Sequence, residues 1–505
     1  MSTELLKKAF SGVIHKYTAG IARLIFGALT SIYVIRKLTV EDYGIFNFAT
    51  SLFAVAAVIT SFGLSITVQR YLPEYREKKN SYLQKRLLSA AMLIRLTSAL
   101  AFVLIILLAN NRIINIFHLP GYFKDFLPLL SLIILFALEA DLLGQGCLMA
   151  LLENRYWNFS RIAYQCLKLV LFFIALSRGY GVYGILWGWL FVEIFLFLLY
   201  MFKAYKTVFL LPTQKADIQP LPIRRLFNFS KYLILQQTTW LFRDRAVDIF
   251  LISYFLGLRE VGQYAFAFGI PLMIMSFSPG SMLRGVFTPL LVRSYTRKND
   301  KEQLIYFFEL TNKIIFFVMI PLFVTLMILA DKLIIYVFNP EYLKVKYIFI
   351  LSFGFVMIQQ FAYPYGALLY TLEKTKAIFI GSLFAFYNLI MDIILIPPLG
   401  VLGAILATGS AGAMLPVYYH FAIKREEGIN LKYPVKAFMK FSINILVMAV
   451  VVVFLRGFAN SIASVIFVMI IAGLVFLGLS YLNKGFGNKD REILNKAIGK
   501  KIWVF

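Results

Sequence analysis

The chain has 505 residues, 60% of them hydrophobic and only 15% charged, with a mean hydropathy of +0.78. A soluble globular protein carries about 25% charged residues, so this composition excludes a water-soluble enzyme; at roughly 36 residues per crossing and connection it holds about fourteen membrane helices and no large soluble domain. The formal charge of +26 would suit nucleic acid in a soluble protein, but in a membrane protein it belongs on cytoplasmic loops, and no nucleic-acid partner is expected.

The N-terminal stretch with Glu4, Lys7 and Lys8 is short and amphipathic and lacks a small-residue cleavage site after an apolar core, so no removable signal peptide is expected. Apolar runs bounded by charges, Pro and Gly then predict six helices near 12–35, 44–66, 87–109, 125–149, 157–177 and 181–202. A polar segment from Lys203 to Lys231, carrying Pro212, Pro220 and Pro222, reads as a central linker. Six more helices follow near 232–256, 261–291, 311–330, 346–370, 376–396 and 401–423, with a last pair near 437–457 and 461–482. The expected division is an N-lobe over 1–210, a cytoplasmic linker over 211–231, a C-lobe over 232–425, two added helices over 426–482 and a basic cytoplasmic tail over 483–505. Cys147 and Cys166 lie in apolar runs, and His15, His118 and His420 are scattered, so neither a disulfide framework nor a metal site is expected.

With the N-terminus taken as cytoplasmic, the inner segments hold 34 Lys+Arg and the outer ones 10. The remaining seven fall inside helices: Lys16, Arg23, Arg95, Lys168, Arg243, Arg245 and Arg284. A wrong helix count would scramble this asymmetry, so both termini are expected in the cytoplasm. An internal repeat shows at the first outer turn of each half. Leu38-Thr39-Val40-Glu41-Asp42-Tyr43-Gly44-Ile45-Phe46 lies over Leu256-Gly257-Leu258-Arg259-Glu260-Val261-Gly262-Gln263-Tyr264 at an offset of 218 residues. Six helices per unit is an even number, so the two units enter from the same side as parallel repeats.

That first motif, followed by Phe62-Gly63-Leu64 and Gln69-Arg70-Tyr71-Leu72-Pro73-Glu74-Tyr75, resembles the N-terminal signature of the polysaccharide-transporter, or Wzx-like oligosaccharide flippase, family. That family belongs to the multidrug/oligosaccharidyl-lipid/polysaccharide exporter (MOP) superfamily. The signature covers about the first 75 residues, and the fourteen-helix plan extends the resemblance over nearly the whole chain. The resemblance implies an all-α integral membrane protein with two six-helix lobes around a central cavity that opens alternately inward and outward, plus two C-terminal helices that in some relatives help form a groove for a lipid tail. The implied cargo is a polyprenyl-phosphate- or pyrophosphate-linked oligosaccharide moved from the cytoplasmic to the outer leaflet of the plasma membrane. No enzymatic step and no cofactor are expected, with Na⁺ or H⁺ as the coupling ions to consider. The expected partners are the lipid-linked substrate, membrane lipid and glycan-assembly membrane proteins, and the expected state is a monomer.

Ionisable residues inside a membrane are costly and face a wet cavity or a partner, so function is sought there first. Arg23 is thirteen residues from Arg36, and Arg243 is thirteen from Leu256, which puts both roughly 20 Å in from the outer surface of equivalent helices. Lys16 lies two turns before Arg23 on the same face. A guanidinium grips phosphate in a bidentate fork and an ammonium offers a point charge, so these three form the expected anion path. Arg245 is set either for the same role or for a closed pair with Asp248 three residues on. Arg284 and Arg95 either line the cavity or snorkel. Lys168, Glu139, Asp141 and Glu193 fall at mid-depth, where they either pair with one another or act, Lys168 as a further substrate-binding cation and the carboxylates by coupling an ion; Asp248 is the fourth coupling candidate, and Asp392 is expected near the outer surface. Pro271, Pro279-Gly280 and Pro289 predict a bend in the eighth helix, Gly20 and Gly27 allow close helix approach, and Trp240 is placed to stack on sugar.

Two other functions compete. A cation-coupled multidrug exporter of the same superfamily would favour acidic or aromatic cavity residues, against the Arg23 and Arg243 arrangement. A membrane glycan polymerase needs an acid or base in a sizeable outer loop, and the longest outer runs, 110–124 and 331–345, are short.

Overall fold

The computed structural model describes residues 20, 22–213, 218–241, 245–276, 278, 301–498 and 503–505. Among these there is no strand, and eleven helices are long and apolar enough to cross a membrane. Each of the eleven coincides with an expected span. The other three, near 12–35, 232–256 and 261–291, run into residues outside the described set.

The chain divides into two compact units, Met1–Gly262 and Gln263–Phe505. In the first, α1 (22–37) leads into α2 (Val40–Ile59) through a turn at Leu38 and Thr39. The Thr39 hydroxyl oxygen accepts from the Asp42 N–H at 3.1 Å, and Glu41 and Asp42 sit at the positive end of the helix. The expected helix over 44–66 breaks at residues 60–63, where Phe62 (φ 42°) and Gly63 (φ 66°) adopt left-handed backbone. An amphipathic α3 (Leu64–Glu77) follows. Asn80 caps α4 (Ser81–Leu108) by accepting from the Leu83 N–H at 2.9 Å. Then come α5 (Asn110–Ile116), α6 (Leu127–Asp141) continued by a π-helical turn over Leu142–Leu148, α7 (Asn154–Ser177), and α8 (Gly181–Ala204). The polar linker region is itself helical from Ile223, so α9 (Ile223–Leu241) starts earlier than expected, and α10 (Arg245–Phe255) follows.

The repeat appears in three dimensions. Each motif copy starts a helix at its third residue, α2 at Val40 and α11 (Leu258–Met275) at Leu258. A Cβ at Gly44 would run into the Leu258 carbonyl oxygen, and a Cβ at Gly262 into the Val40 carbonyl oxygen. Residues 40 and 258, like 44 and 262, are 218 apart, so the two copies pack reciprocally, backbone on backbone, about a local pseudo-two-fold.

The second unit holds α12 (Lys301–Ile328), α13 (Ala330–Tyr336), α14 (Lys346–Gln360), α15 (Ala362–Thr371), α16 (Thr375–Ser382), α17 (Phe384–Leu399), α18 (Val401–Glu427), α19 (Val435–Leu455), α20 (Ile462–Asn483) and α21 (Asn488–Ile498). Its outward surface shows the environment: Ile443, Leu446, Val447, Val450, Val453 and Phe454 make an exposed apolar stripe at helical spacing on α19. In water such a stripe would drive association; in a bilayer it is the lipid face.

Candidate functional site

The functional side chains that the first unit brings together centre on α7. Trp157, Arg161, Tyr164, Lys168 and Phe172 follow one another at spacings of four, three, four and four, so they share one face of the helix and alternate aromatic with cation. The Arg161 guanidinium carbon is 5.8 Å from the Trp157 ring centre and 5.9 Å from that of Tyr164. Arg23 of α1 joins them, its guanidinium carbon 5.1 Å from the centre of the same Trp157 ring. Two half-buried guanidiniums therefore share one indole and interact electrostatically with each other. Gly27 of α1 faces Gln165 of α7, but a Cβ there would lie 4.0 Å from the Gln165 amide nitrogen, an ordinary contact, so the expected close approach at Gly20 and Gly27 does not depend on glycine. A cation over an aromatic face is held at about 0.5–2 kcal/mol.

Further along the ladder, the Lys168 ammonium is 5.2 Å from the Phe172 ring centre, 5.3 Å from that of Trp189 and 5.8 Å from that of Tyr164. Glu193 of α8 interacts with it electrostatically, yet among the described residues no carboxylate lies within the 4.0 Å of an ion pair with Lys168. Instead the Glu193 carboxylate accepts from the Tyr164 hydroxyl at 2.7 Å and from the Trp189 indole N–H at 2.9 Å. Both donors also line the lysine, so the anion and cation are fixed by the same two rings.

A second polar cluster lies where α3, α4 and α6 meet. Arg95, 2% exposed, pairs with Asp141 at 3.5 Å, so it neither snorkels nor lines an open cavity. The other Asp141 partners are Ser65 at 3.3 Å and Gln145. Glu139, 6% exposed, interacts electrostatically with Arg95, and its carboxylate oxygens have no hydrogen-bond partner among the described residues. The π-helical turn begins immediately after Asp141; such turns commonly mark functional positions in helices.

Arg245 does not form the closed pair with Asp248. Its guanidinium donates to Asn47 Oδ1 at 3.4 Å, across to α2, while Asp248 is 2% exposed. Asp392 of α17 was expected near the outer surface but is fully buried. The reason is local: Pro397 and Pro398 remain helical, so α17 continues past Asp392 to Leu399 and packs along α18. Lys16, Arg243 and Arg284 lie outside the described residues, as do Pro279-Gly280 and Pro289, and the Trp240 side chain is likewise not described. Arg161 lies inside the expected span 157–177 but was not among the expected site residues. The structure puts it two turns into α7, and the alternating cation and aromatic spacing is the signal that finds it.

Residues 9–293, more than half of the chain, match the family described as polysaccharide biosynthesis protein. The chain belongs to that family. An uncharacterised membrane protein of Methanocaldococcus jannaschii is 24% identical over 388 residues, 73% of this chain and 74% of its own. The probable low-salt glycan biosynthesis flippase Agl15 of Haloferax volcanii is 26% identical over 214 residues, 42% of this chain and 44% of that one. Among solved structures, the lipid II flippase MurJ in an inward closed conformation shares the fold with a TM-score of 0.67 at 19% identity, over 94% of this chain and 98% of that one. An inward-facing multidrug-resistance MATE transporter of the MOP superfamily shares it with a TM-score of 0.61 at 15% identity, over 80% and 96%. The chain is thus a multi-pass membrane protein of the polysaccharide biosynthesis family, with the fold shared by MurJ and the MATE transporter.

Proposed function

We propose that the protein flips a polyprenyl-(pyro)phosphate-linked oligosaccharide from the cytoplasmic to the outer leaflet of the plasma membrane by alternating access, for cell-surface polysaccharide or glycoconjugate synthesis. The observation that carries this reading is the pair of guanidiniums, Arg23 and Arg161, gathered at the one Trp157 ring. Two such forks close together suit a phosphate or pyrophosphate, which each can grip by charge-assisted hydrogen bonds. The rings of Trp157 and Tyr164 offer faces to the sugars, and Lys168 continues the positive line. Lys16, Arg243, Arg245 and Arg284 are further phosphate contacts in this proposal, supported by sequence position.

The lipid tail stays in the bilayer while two lobes, residues 1–210 and 232–425, rock about the cargo, with both termini in the cytoplasm. Coupling falls to the intramembrane carboxylates Glu139, Asp141, Glu193 and Asp248, with Na⁺ or H⁺ as the ion. The protein acts as a monomer beside glycan-assembly membrane proteins and makes no covalent change to its cargo. The MATE neighbour's fold suits drug export as well, but the basic ladder disfavours the cationic compounds such an exporter carries.

The test is transbilayer movement of a lipid-pyrophosphate-linked oligosaccharide in proteoliposomes, comparing wild type with Arg23→Ala and Arg161→Ala at matched incorporation. The expected result is a loss of movement of tenfold or more in each variant, about the worth of one charge-assisted fork. Movement that survives both substitutions would remove the guanidinium pair from the mechanism. A wild type that moves no such lipid but exports a drug would replace the flippase reading.

A further inference from the structure

The last twenty residues make a feature that the transport reading does not use. After α20 the chain turns at Lys484, whose backbone is left-handed (φ 48°), and α21 follows. Asp490 in the first turn of α21 is 3% exposed. Its carboxylate accepts from the Lys313 ammonium at 2.9 Å, the Tyr306 hydroxyl at 2.7 Å and the Gly487 N–H at 3.1 Å, which clamps α21 to α12.

The C-terminus then folds back onto α21. Asn495 donates to the Trp503 carbonyl at 2.9 Å and accepts from its N–H at 2.7 Å. The Trp503 ring packs against Phe486, Phe317 and Phe505, with centres 5.3, 5.8 and 5.9 Å away. The indole is therefore held by structure and is not a loose terminal side chain.

Between α20, α21 and this returned end lies an open pocket of about 360 Å³ lined by Tyr481, Lys484, Asn488, Arg491, Asn495 and Trp503, with Val504 at its edge. Its lining holds two cations and no carboxylate; of the two acids beside Arg491, Asp490 is committed to Lys313 and Glu492 is exposed. The Arg491 Nε–H and the Trp503 Nε1–H are buried and have no hydrogen-bond partner among the described residues. A buried donor left without an acceptor costs about 1–3 kcal/mol, so two of them beside one open pocket point to an acceptor that belongs there. Lys440 adds positive charge nearby, its ammonium on the Asn483 and Lys484 carbonyls. The pocket opens immediately after the end of the span Ile462–Asn483, at the depth where lipid phosphates lie and where Trp and Tyr favour the interface.

We infer that this pocket is a binding site for the phosphodiester headgroup of an anionic membrane phospholipid, gripped by Arg491 and Lys484, with the buried Trp503 indole N–H as a third donor once the side chains that cover it part. The site is separate from the Arg23 and Arg161 pair and does not depend on the cargo. A membrane lipid seated there ties α21 and the C-terminal end to the leaflet surface as well as to α12. Free inorganic phosphate offers the same oxygens but no acyl chains to lie along the exposed apolar face of α20, where Leu474, Leu477 and Leu482 are exposed.

The experiment uses the full-length purified protein in detergent, titrated with short-chain phosphatidylglycerol, phosphatidylcholine or inorganic phosphate while Trp fluorescence and the thermal midpoint are followed. Phosphatidylglycerol is expected to bind and raise the midpoint of the wild type, with phosphatidylcholine and millimolar phosphate doing neither. Lys484→Ala/Arg491→Ala is expected to weaken phosphatidylglycerol binding roughly tenfold to a hundredfold, the worth of the lost charge-assisted contacts, with the midpoint in phosphatidylcholine unchanged. Trp503→Phe keeps the ring packing and is expected to cost a few-fold in lipid affinity. It gives a second reading, by thermal midpoint, should the double variant prove unstable. Equal phosphatidylglycerol binding by wild type and both variants would overturn the site. Equal response of the wild type to inorganic phosphate would overturn its assignment to lipid.

Discussion

Gly44→Ala should destabilise the protein although alanine is the better helix former. The new methyl group would meet the Leu258 carbonyl oxygen, with the Leu258 carbonyl carbon at 2.9 Å and the Gly262 nitrogen at 3.1 Å. These are backbone atoms in another helix, so no rotamer change relieves the overlap and α2 must move away from α11. Overpacking of this kind costs about 3 kcal/mol at the upper end of its range. Replacing glycine in a helix returns about 1 kcal/mol, leaving a net loss of about 2 kcal/mol, roughly thirtyfold in the folded-to-unfolded ratio. Gly473→Ala is the control, because nothing lies within 4 Å of a Cβ built there in α20; it should be neutral or slightly stabilising. The assay is reversible unfolding in mixed micelles with increasing sodium dodecyl sulfate, read by Trp fluorescence. Gly262→Ala should match Gly44→Ala, and the double variant should cost less than the sum, because one separation of the helices relieves both overlaps. If Gly44→Ala proves as harmless as Gly473→Ala, the reciprocal backbone contact is not what holds the two motif copies together.

Other expectations concern charge. Glu74 of α3 accepts from Arg225 of α9 at 2.9 and 3.0 Å and from Lys78 at 2.9 Å. Arg225 first and Lys78 second hold its carboxyl down at about 2. A depressed carboxyl adds stability that is complete above its ordinary value of about 4.3 and is lost as the pH falls toward 2. Protection of the amides over 223–230, measured against their intrinsic exchange rates at each pH, should therefore fall between about pH 5 and pH 2, and Glu74→Gln should show low protection already at pH 7; a variant that keeps the wild-type profile would assign the attachment to other contacts. Glu193→Ala leaves the Tyr164 hydroxyl and the Trp189 N–H without their acceptor and should cost about 2–4 kcal/mol, whereas Glu193→Gln, which keeps an acceptor oxygen, should cost less than half of that in the same unfolding assay; equal losses would argue that charge alone matters. Burial pushes the Asp490 carboxyl up, but Lys313 and Tyr306 outweigh it and hold it below the usual aspartate value. Asp490→Asn leaves the Lys313 ammonium without its counter-charge, for about 3 kcal/mol, and limited proteolysis should cut near residue 488 at pH 7 in the variant but not in the wild type. A resistant variant would show that ring packing around Trp503 suffices to hold the tail.

How far the sequence could be read follows from what each signal measures. Hydropathy records transfer into lipid, a property of each segment taken alone, which is why the spans at 81–108, 181–209 and 462–483 fall where apolar runs place them. It is blind to backbone breaks inside apolar sequence: nothing in the composition around Phe62 and Gly63 signals two successive left-handed residues. It is silent, too, on which polar side chains share a helix face: Arg161 lies inside the expected span 157–177, and only its spacing to the aromatic residues of α7 marks it. A periodicity test that treated cations and aromatics as one class would have joined Trp157, Arg161, Tyr164 and Lys168 into a single stripe.

The partner of each charge belongs to tertiary structure and could not be read from spacing. The i,i+3 spacing of Arg245 and Asp248 suggests a pair, yet Arg245 reaches across to Asn47. Asn47 lies one residue beyond the first motif copy, whose last residue is Phe46. The same segment of α2 therefore supplies both the glycine that lets α11 approach and the amide that receives the arginine of α10. A short recurring sequence is constrained here by close backbone packing at Gly44 and by polar contact one turn later, and that double constraint explains why a repeat stays legible in these residues when the surrounding helices, bound only to be apolar, have lost it.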